Sequence, residues 1–258
     1  MVDRPVVQYV LEELARAGIG RVLLVTGRRK RAIEDHFDAD PELDRELGPT
    51  DTPGAGLEIL YKRQPYPRGL GDAVRCAESF AAGRPVVVAL GDAIIEPPPA
   101  RVPGILTRLA AVQRDTGADA VLAVTEVEPD HVHRYGIVVP GAAAEVTEVA
   151  DVVEKPQPGM VSSRLAVAAR YVLGPRVFAV LCDTEADAGG EVQLTDALRR
   201  VIQDGGRVVA VRLAPGERRH DIGTLEGYCA TFLDLALRHP ALGAALRGRA
   251  AALLDDAG

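Results

Sequence analysis

The chain has 258 residues, 47% of them hydrophobic and 26% charged, with six Tyr, four Phe and no Trp. That length supports one substantial core, and so few aromatics mean a core of Val, Leu, Ile and Ala, which suits a buried parallel sheet. A net charge of −7 leaves no basic excess to neutralise phosphates, which excludes nucleic acid as the main partner.

Cys76, Cys182 and Cys229 are odd in number and far apart, giving neither a disulfide framework nor zinc-ligand spacing. The N-terminus shows no basic region followed by an apolar stretch, and no apolar run is long enough for a bilayer. The expectation is a soluble, cytoplasmic protein with no membrane partner.

In chain order, PVVQYVLEELARAG (5–18) has apolar residues at helical spacing and stops at Gly18. RVLLVTG (21–27) reads as a buried strand, and 29–47 as one or two polar helices. GPTDTPGAG (48–56) is a loop-like insertion, LEILYKRQ (57–64) a strand, GDAVRCAESFAAG (71–83) a helix and RPVVVALGD (84–92) a third strand. Further strands are expected at 118–127, 135–139, 148–156, 165–173 and 207–213, with one or two helices from Leu225 to Asp256. Alternating strands and helices predict an α/β fold with a mainly parallel sheet, its sites along the edge of strand C-termini.

Asp92, where strand 84–92 ends, reads either as an oxygen ligand for a hard cation or as a turn or capping residue. Asp221 in RRHDIGT (218–224) lies in a similar loop; two carboxylates on converging loops, with waters and substrate phosphates, would complete a Mg²⁺ site. Glu154 and Lys155 in VVEKPQP (152–158) read either as a sugar-hydroxyl acceptor and a phosphate counter-charge or as a solvated ion pair. Gly69 and Gly71 join a strand to a helix, which suits a close backbone approach to a ligand and equally suits simple turn punctuation. Gly18 and Gly20 precede a strand, the wrong context for dinucleotide binding. His131 and His133 read as part of a solvated loop, and Arg28 to Arg31 as a solvated helix start.

Taken together, these strings resemble one family, the bacterial UTP–glucose-1-phosphate uridylyltransferases. The resemblance runs through VTGRRKRAIEDHFD (25–38), GLGDAVRCAESF (69–80), LGDAII (90–95), RYGIV (134–138) and VVEKPQPG (152–159). It continues through RYVLGPRVF (170–178), GGEVQLTDALRRVI (189–202) and RRHDIGTLEGYCATFLDLALRHP (218–240), nearly the whole chain. It implies a single nucleotidyltransferase domain over 1–258, Rossmann-like with a mixed, mainly parallel sheet flanked by helices, and C-terminal helices at 225–258. It also implies Mg²⁺-dependent transfer of a uridylyl group from UTP to glucose 1-phosphate, giving UDP-glucose and pyrophosphate, and a tendency to form homo-oligomers. On the matching positions Asp92 and Asp221 would hold the metal, and Gln64 and Gly69 would meet the uracil edge. Lys155 would neutralise the sugar phosphate, and Glu154, Glu191 and the backbone near Gly136 would hold the glucose hydroxyls. The alternative is a non-catalytic nucleotide-sugar-binding homologue that keeps the sugar site around Lys155 and Glu191.

The chain departs from the pattern at three places. Ala93 stands where the family usually has a second acid, and Asp72 where it usually has His. The chain begins at MVDRP, just after the family's first strand, its glycine-rich loop and a lysine-bearing segment. That loop donates to the triphosphate, and one preorganised donor is worth about a hundredfold to a thousandfold in rate. The expectation is a protein that begins upstream, and a sheet whose central neighbours are unpaired without that strand.

Overall fold

The computed structural model describes residues 1–28, 30–38, 54, 56–99, 101–141 and 146–257, with side chains as far as 255. Helix α1 (Val6–Arg16) leads into strand β1 (Arg21–Thr26), helix α2 (Arg31–Phe37) and strand β2 (Glu58–Arg63). Two short helices follow, α3 (Gly69–Arg75) and α4 (Glu78–Ala81), then strands β3 (Val86–Ala89) and β4 (Ala93–Glu96) and helix α5 (Ile105–Thr116). The middle of the chain holds β5 (Ala120–Glu126), a 3₁₀ turn (Pro129–Arg134), β6 (Gly136–Pro140), β7 (Val146–Glu154) and β8 (Leu165–Leu173). Helices α6 (Pro175–Cys182) and α7 (Leu194–Gln203), strands β9 (Val208–Arg212) and β10 (Arg218–Asp221), and helices α8 (Leu225–Arg238) and α9 (Gly243–Ala257) complete it.

The main sheet has six strands in the order β3-β8-β5-β9-β7-β6, with β6 also reaching β8. Every residue of β8, LAVAARYVL, is buried, as a strand covered on both faces requires. Side chains alternate across the sheet. Leu122, Val124, Val208 and Ala210 point into a core closed by α3, α6 and α7. Val121, Ala123, Val209 and Val211 point into a second core closed by α1, α2 and α5. Helix α7 fits the first core because Leu194, Ala197, Leu198 and Val201 fall on one face at helical spacing. Helix α5 is capped from a distance: the buried carboxylate of Glu217 accepts from Ile105 N at 2.8 Å, satisfying an amide at its first turn.

The expected mixed α/β class stands. The expected mainly parallel pairing does not: among the described residues only β1–β2 and β5–β9 are parallel ladders and the other six are antiparallel, because β8 runs against β3, β5 and β6, and β7 against β6 and β9. Strands β1 and β2 form a ladder of their own. Val22 and Leu24 of β1 share the second core with Val87 and Ala89 of β3, yet no ladder joins the two sheets among the described residues.

Three further expectations are refined. The helix expected over 71–83 divides at Cys76 and Ala77 into α3 and α4. Of the helical stretch expected over 29–47, Arg31–Phe37 is helix, while 39–47 and most of the 48–56 loop lie outside the described residues. The one or two terminal helices expected are two, but β4, β10 and helices α5, α6 and α7 had no counterpart in the sequence reading. Gly18, with φ 77°, does end α1. His131 and His133 are exposed on the 3₁₀ turn. Among the described residues no helix is long and apolar enough to cross a membrane.

Candidate active site

Antiparallel pairing of β4 with β10 brings the two expected metal ligands together. Asp221 lies opposite Ala93 in that ladder, and Ile222 N donates to the backbone oxygen of Asp92 at 3.4 Å. Asp92 stands in the tight turn between β3 and β4 and is exposed, and its carboxylate has no partner among the described residues. The Asp221 carboxylate accepts from Gly223 N at 3.0 Å and from Arg219 at 3.2 Å. No third His, Cys, Asp or Glu joins them among the described residues. Two carboxylates and no nitrogen or sulfur donor fit Mg²⁺, which keeps several waters and takes the remaining oxygens from substrate phosphates.

The turn that carries Asp92 is held from below by a buried arginine. Arg170 is fully buried, and its guanidinium donates to Leu90 O at 3.3 Å and to Ala93 O at 2.9 Å, one carbonyl on each side of the turn. Its charge is met by Glu13 of α1 through bonds of 3.2, 3.1 and 2.7 Å. The arginine points this way because β8 bulges: its register against β5 slips between Leu122 and Val124, and Ala169 has φ 59°. A left-handed alanine is strained, and strain at a bulge re-aims the next side chain.

A second group lies at the adjoining ends of β6 and β7. Gly136 is paired with Glu154 across that ladder. A Cβ on Gly136 would stand 3.0 Å from Thr195 Cγ2 and 3.2 Å from Glu154 Oε2, so a larger residue there would press on both side chains. Lys155 follows with φ 40° and a side chain 62% exposed, its Nζ 3.7 Å from Glu154 Oε1. That pair is loose and wet, and the ammonium is free to meet an anion. Arg219 stacks on Tyr135 at 4.4 Å, and the phenol bonds to Asp221, which ties this group to the carboxylate pair. Burial, then Asp221, raises the Tyr135 pKa above the ordinary phenol value, so the phenol remains a donor. Tyr171 lies buried within reach of the charges of Glu154, Arg219 and Asp92, and burial pushes its phenol well up as well. Two buried side-chain atoms lack any hydrogen-bond partner among the described residues, Thr195 Oγ1 and Arg219 Nε. Both flank the Tyr135–Gly136 segment, and orphaned polar atoms are costly unless a ligand or water meets them.

The third group joins the loop before α3 to the segment before α7. Gly71 N donates to Val192 O at 2.8 Å, and Val192 N donates to Arg68 O at 2.8 Å. These bonds set Gly69 against Glu191: a Cβ on Gly69 would lie 2.9 Å from Glu191 Cβ and 2.8 Å from Val192 O. With φ 86°, Gly69 is conformationally required as well as sterically required. The half-buried Gln64 donates from its amide nitrogen to Asp72 Oδ2 at 2.8 Å and to Gly69 O at 3.3 Å. Beside this loop lies a cleft of about 340 Å³ lined by Pro65, Tyr66, Arg68, Asp72, Arg75 and Cys76. It does not include the two carboxylates. The segment 191–195 links the groups, with Val192 against Gly69 and Gly71 and Thr195 against Gly136.

All eight residues expected from the sequence therefore fall into three adjoining groups: Asp92 with Asp221; Gly136, Glu154 and Lys155; and Gln64, Gly69 and Glu191. The model for the nucleotidyl transferase family matches residues 1–237. The chain belongs to that family. Among curated members, a UTP–glucose-1-phosphate uridylyltransferase of Bacillus subtilis is 38% identical over 248 residues, covering 92% of this chain and 82% of that protein. One of Streptococcus pyogenes is 40% identical over 250 residues, covering 93% and 82%. Among solved nucleotidyl transferases, a UDP-glucose pyrophosphorylase complexed with UDP-glucose superposes with a TM-score of 0.78 at 32% identity, over 89% of this chain and 85% of that one. The UTP-bound enzyme from Acinetobacter baumannii gives a TM-score of 0.83 at 32% identity, over 96% and 87%. Five residues around the site escaped the sequence reading: Tyr135, Tyr171, Arg170, Arg219 and Thr195. None carries a local signal, although RYVL and RRHDIGT did mark their neighbourhoods.

Proposed function

We propose that this nucleotidyl transferase moves a uridylyl group from UTP to glucose 1-phosphate, releasing pyrophosphate, with Mg²⁺ held by Asp92 and Asp221. The observation that carries this reading is the convergence of those two carboxylates across the β4–β10 ladder, beside the Gly136–Glu154 group. An oxygen of the sugar phosphate attacks the α-phosphorus of the nucleotide, and the bond from that phosphorus to the bridging oxygen of pyrophosphate breaks. Such transfer needs little covalent help; orientation and charge neutralisation supply most of the rate. The ion, when bound, would neutralise phosphate charge. Lys155 meets the sugar phosphate, which it can do because Glu154 holds it only loosely. Glu154, Glu191 and the open backbone at Gly136 receive the sugar hydroxyls. The orphaned Thr195 Oγ1 and Arg219 Nε supply further polar contacts beside them. Gln64 and Gly69 receive the base.

One observation favours a second reading, a nucleotide-sugar-binding protein without turnover. No ladder joins β1–β2 to the main sheet among the described residues, and an unpaired sheet edge holds neighbouring loops less firmly. Pyrophosphate release with UTP, glucose 1-phosphate and Mg²⁺ separates the two, with Asp92→Asn and Asp221→Asn measured alongside. Turnover that falls at least about a hundredfold in both variants is expected. Turnover indifferent to both substitutions overturns the assignment of the carboxylates, and UDP-glucose binding without turnover selects the second reading.

A further inference from the structure

Gln64 is held so that it has only an acceptor left to offer. Its carboxamide nitrogen carries two hydrogens, and the chain takes both. One goes to Asp72 Oδ2 at 2.8 Å and the other to Gly69 O at 3.3 Å. Both neighbours are acceptors, a carboxylate and a carbonyl, so turning the amide over would set oxygen against oxygen. The amide oxygen accepts nothing among the described residues. Asp72 is itself fixed: it is 8% exposed, and its other oxygen, Oδ1, receives the Arg75 guanidinium one turn later on the same helix. An ionised carboxylate can only accept, so Asp72 has no donor to offer the Gln64 oxygen.

We propose that Asp72 is the specificity-determining residue for the nucleotide base: by fixing Gln64 as an acceptor, it restricts the site to a base whose facing edge donates. The inference rests on the reading of Gln64 as the residue that meets the base. Uracil and thymine carry N3–H at the centre of that edge. Cytosine carries an unprotonated N3 there and would set acceptor against acceptor. Mismatched buried acceptors lose the bond and leave both groups desolvated without a partner, so the selectivity is steep. Asp72 is a positioning residue in this scheme. It acts through its bond to Gln64.

Equilibrium binding tests the inference apart from turnover. Titration calorimetry on the full chain would compare UTP, CTP and N3-methyl-UTP, the last keeping the uracil carbonyls but lacking the donor. UTP is expected to bind about 100-fold more tightly than either of the others. Asp72→Asn keeps the size of the side chain but can donate to the Gln64 oxygen and let the amide turn. The UTP-to-CTP affinity ratio is then expected to fall at least about tenfold, partly through tighter CTP binding, which a general loss of structure would not produce. Equal affinity of the wild-type chain for UTP and N3-methyl-UTP overturns the inference even if the variant fails to fold. So does an unchanged ratio in a folded Asp72→Asn protein, or the absence of any nucleotide binding. Retained base discrimination without pyrophosphate release overturns the transfer reaction and leaves the role of Asp72 intact.

Discussion

Replacing Arg170 with Met is the most informative perturbation of the scaffold beneath Asp92. The guanidinium is fully buried and Glu13 is 12% exposed, so the substitution strands a carboxylate that water scarcely reaches. Leu90 O and Ala93 O lose their donor at the same time. Removing one member of a buried pair costs about 3–5 kcal/mol, a large part of the roughly 5–15 kcal/mol by which domains are stable. Replacing both members with apolar groups leaves no stranded charge, so Arg170→Met with Glu13→Leu is expected to recover at least about 2 kcal/mol of that loss. Urea unfolding followed by circular dichroism reads both numbers. In the double variant the fold returns but the carbonyls flanking the Asp92 turn remain unheld. Pyrophosphate release should therefore stay at least about tenfold down, since small displacements of catalytic groups are costly. A single-variant loss below about 1 kcal/mol, or a double variant no more stable than the single, would refute the claim that charge burial is what makes Arg170 matter.

Gly69→Ala adds a Cβ 2.8 Å from Val192 O at a backbone φ of 86°. The cost should be about 1–3 kcal/mol of stability, with kcat/KM reduced by displacement of the 191–192 segment, measured by thermal unfolding and steady-state kinetics. Acid sensitivity should trace in part to Glu96. Burial raises its pKa, but hydrogen bonds from Arg238 and His220 outweigh that and leave it below the ordinary 4.5. A depressed folded-state pKa means the stabilisation is complete above about pH 4.5 and is lost as pH falls through the folded value. Glu96→Gln should lower stability at pH 7 by about 1–2 kcal/mol and flatten its decline below pH 4.5; a decline as steep as in the wild type would show that other carboxylates dominate.

The strands that the sequence reading located share a signature: short β-branched or alanine-rich runs bounded by Gly, Pro or charge, such as RVLLVTG and LAVAARYVL. Strands β4 and β10 carry no such signature. AIIE and RRHD are four residues each and become strands only by pairing with one another, so their local sequence could not disclose them. The break between α3 and α4 is similarly silent, because neither Cys76 nor Ala77, where it falls, is a helix breaker.

At the candidate site, the residue types were readable in the chain: an acid after a strand at Asp92, and Glu154 with Lys155 ahead of Pro156; Asp221, read as a loop residue, instead ends strand β10, and Gly69 and Gly71, read as a connection, lie in the first turn of α3. Composition and periodicity also determined the layered α/β character, since a core without Trp and rich in Val, Leu and Ala packs as sheet between helices. What tertiary structure alone decided is which of these come together and what state each is held in. A ladder between strands far apart in the chain sets Asp221 beside Asp92, a bulge turns Arg170 under them, and two acceptors consume the amide hydrogens of Gln64. Those outcomes depend on through-space pairing and desolvation, which have no period and leave no mark on neighbouring residues.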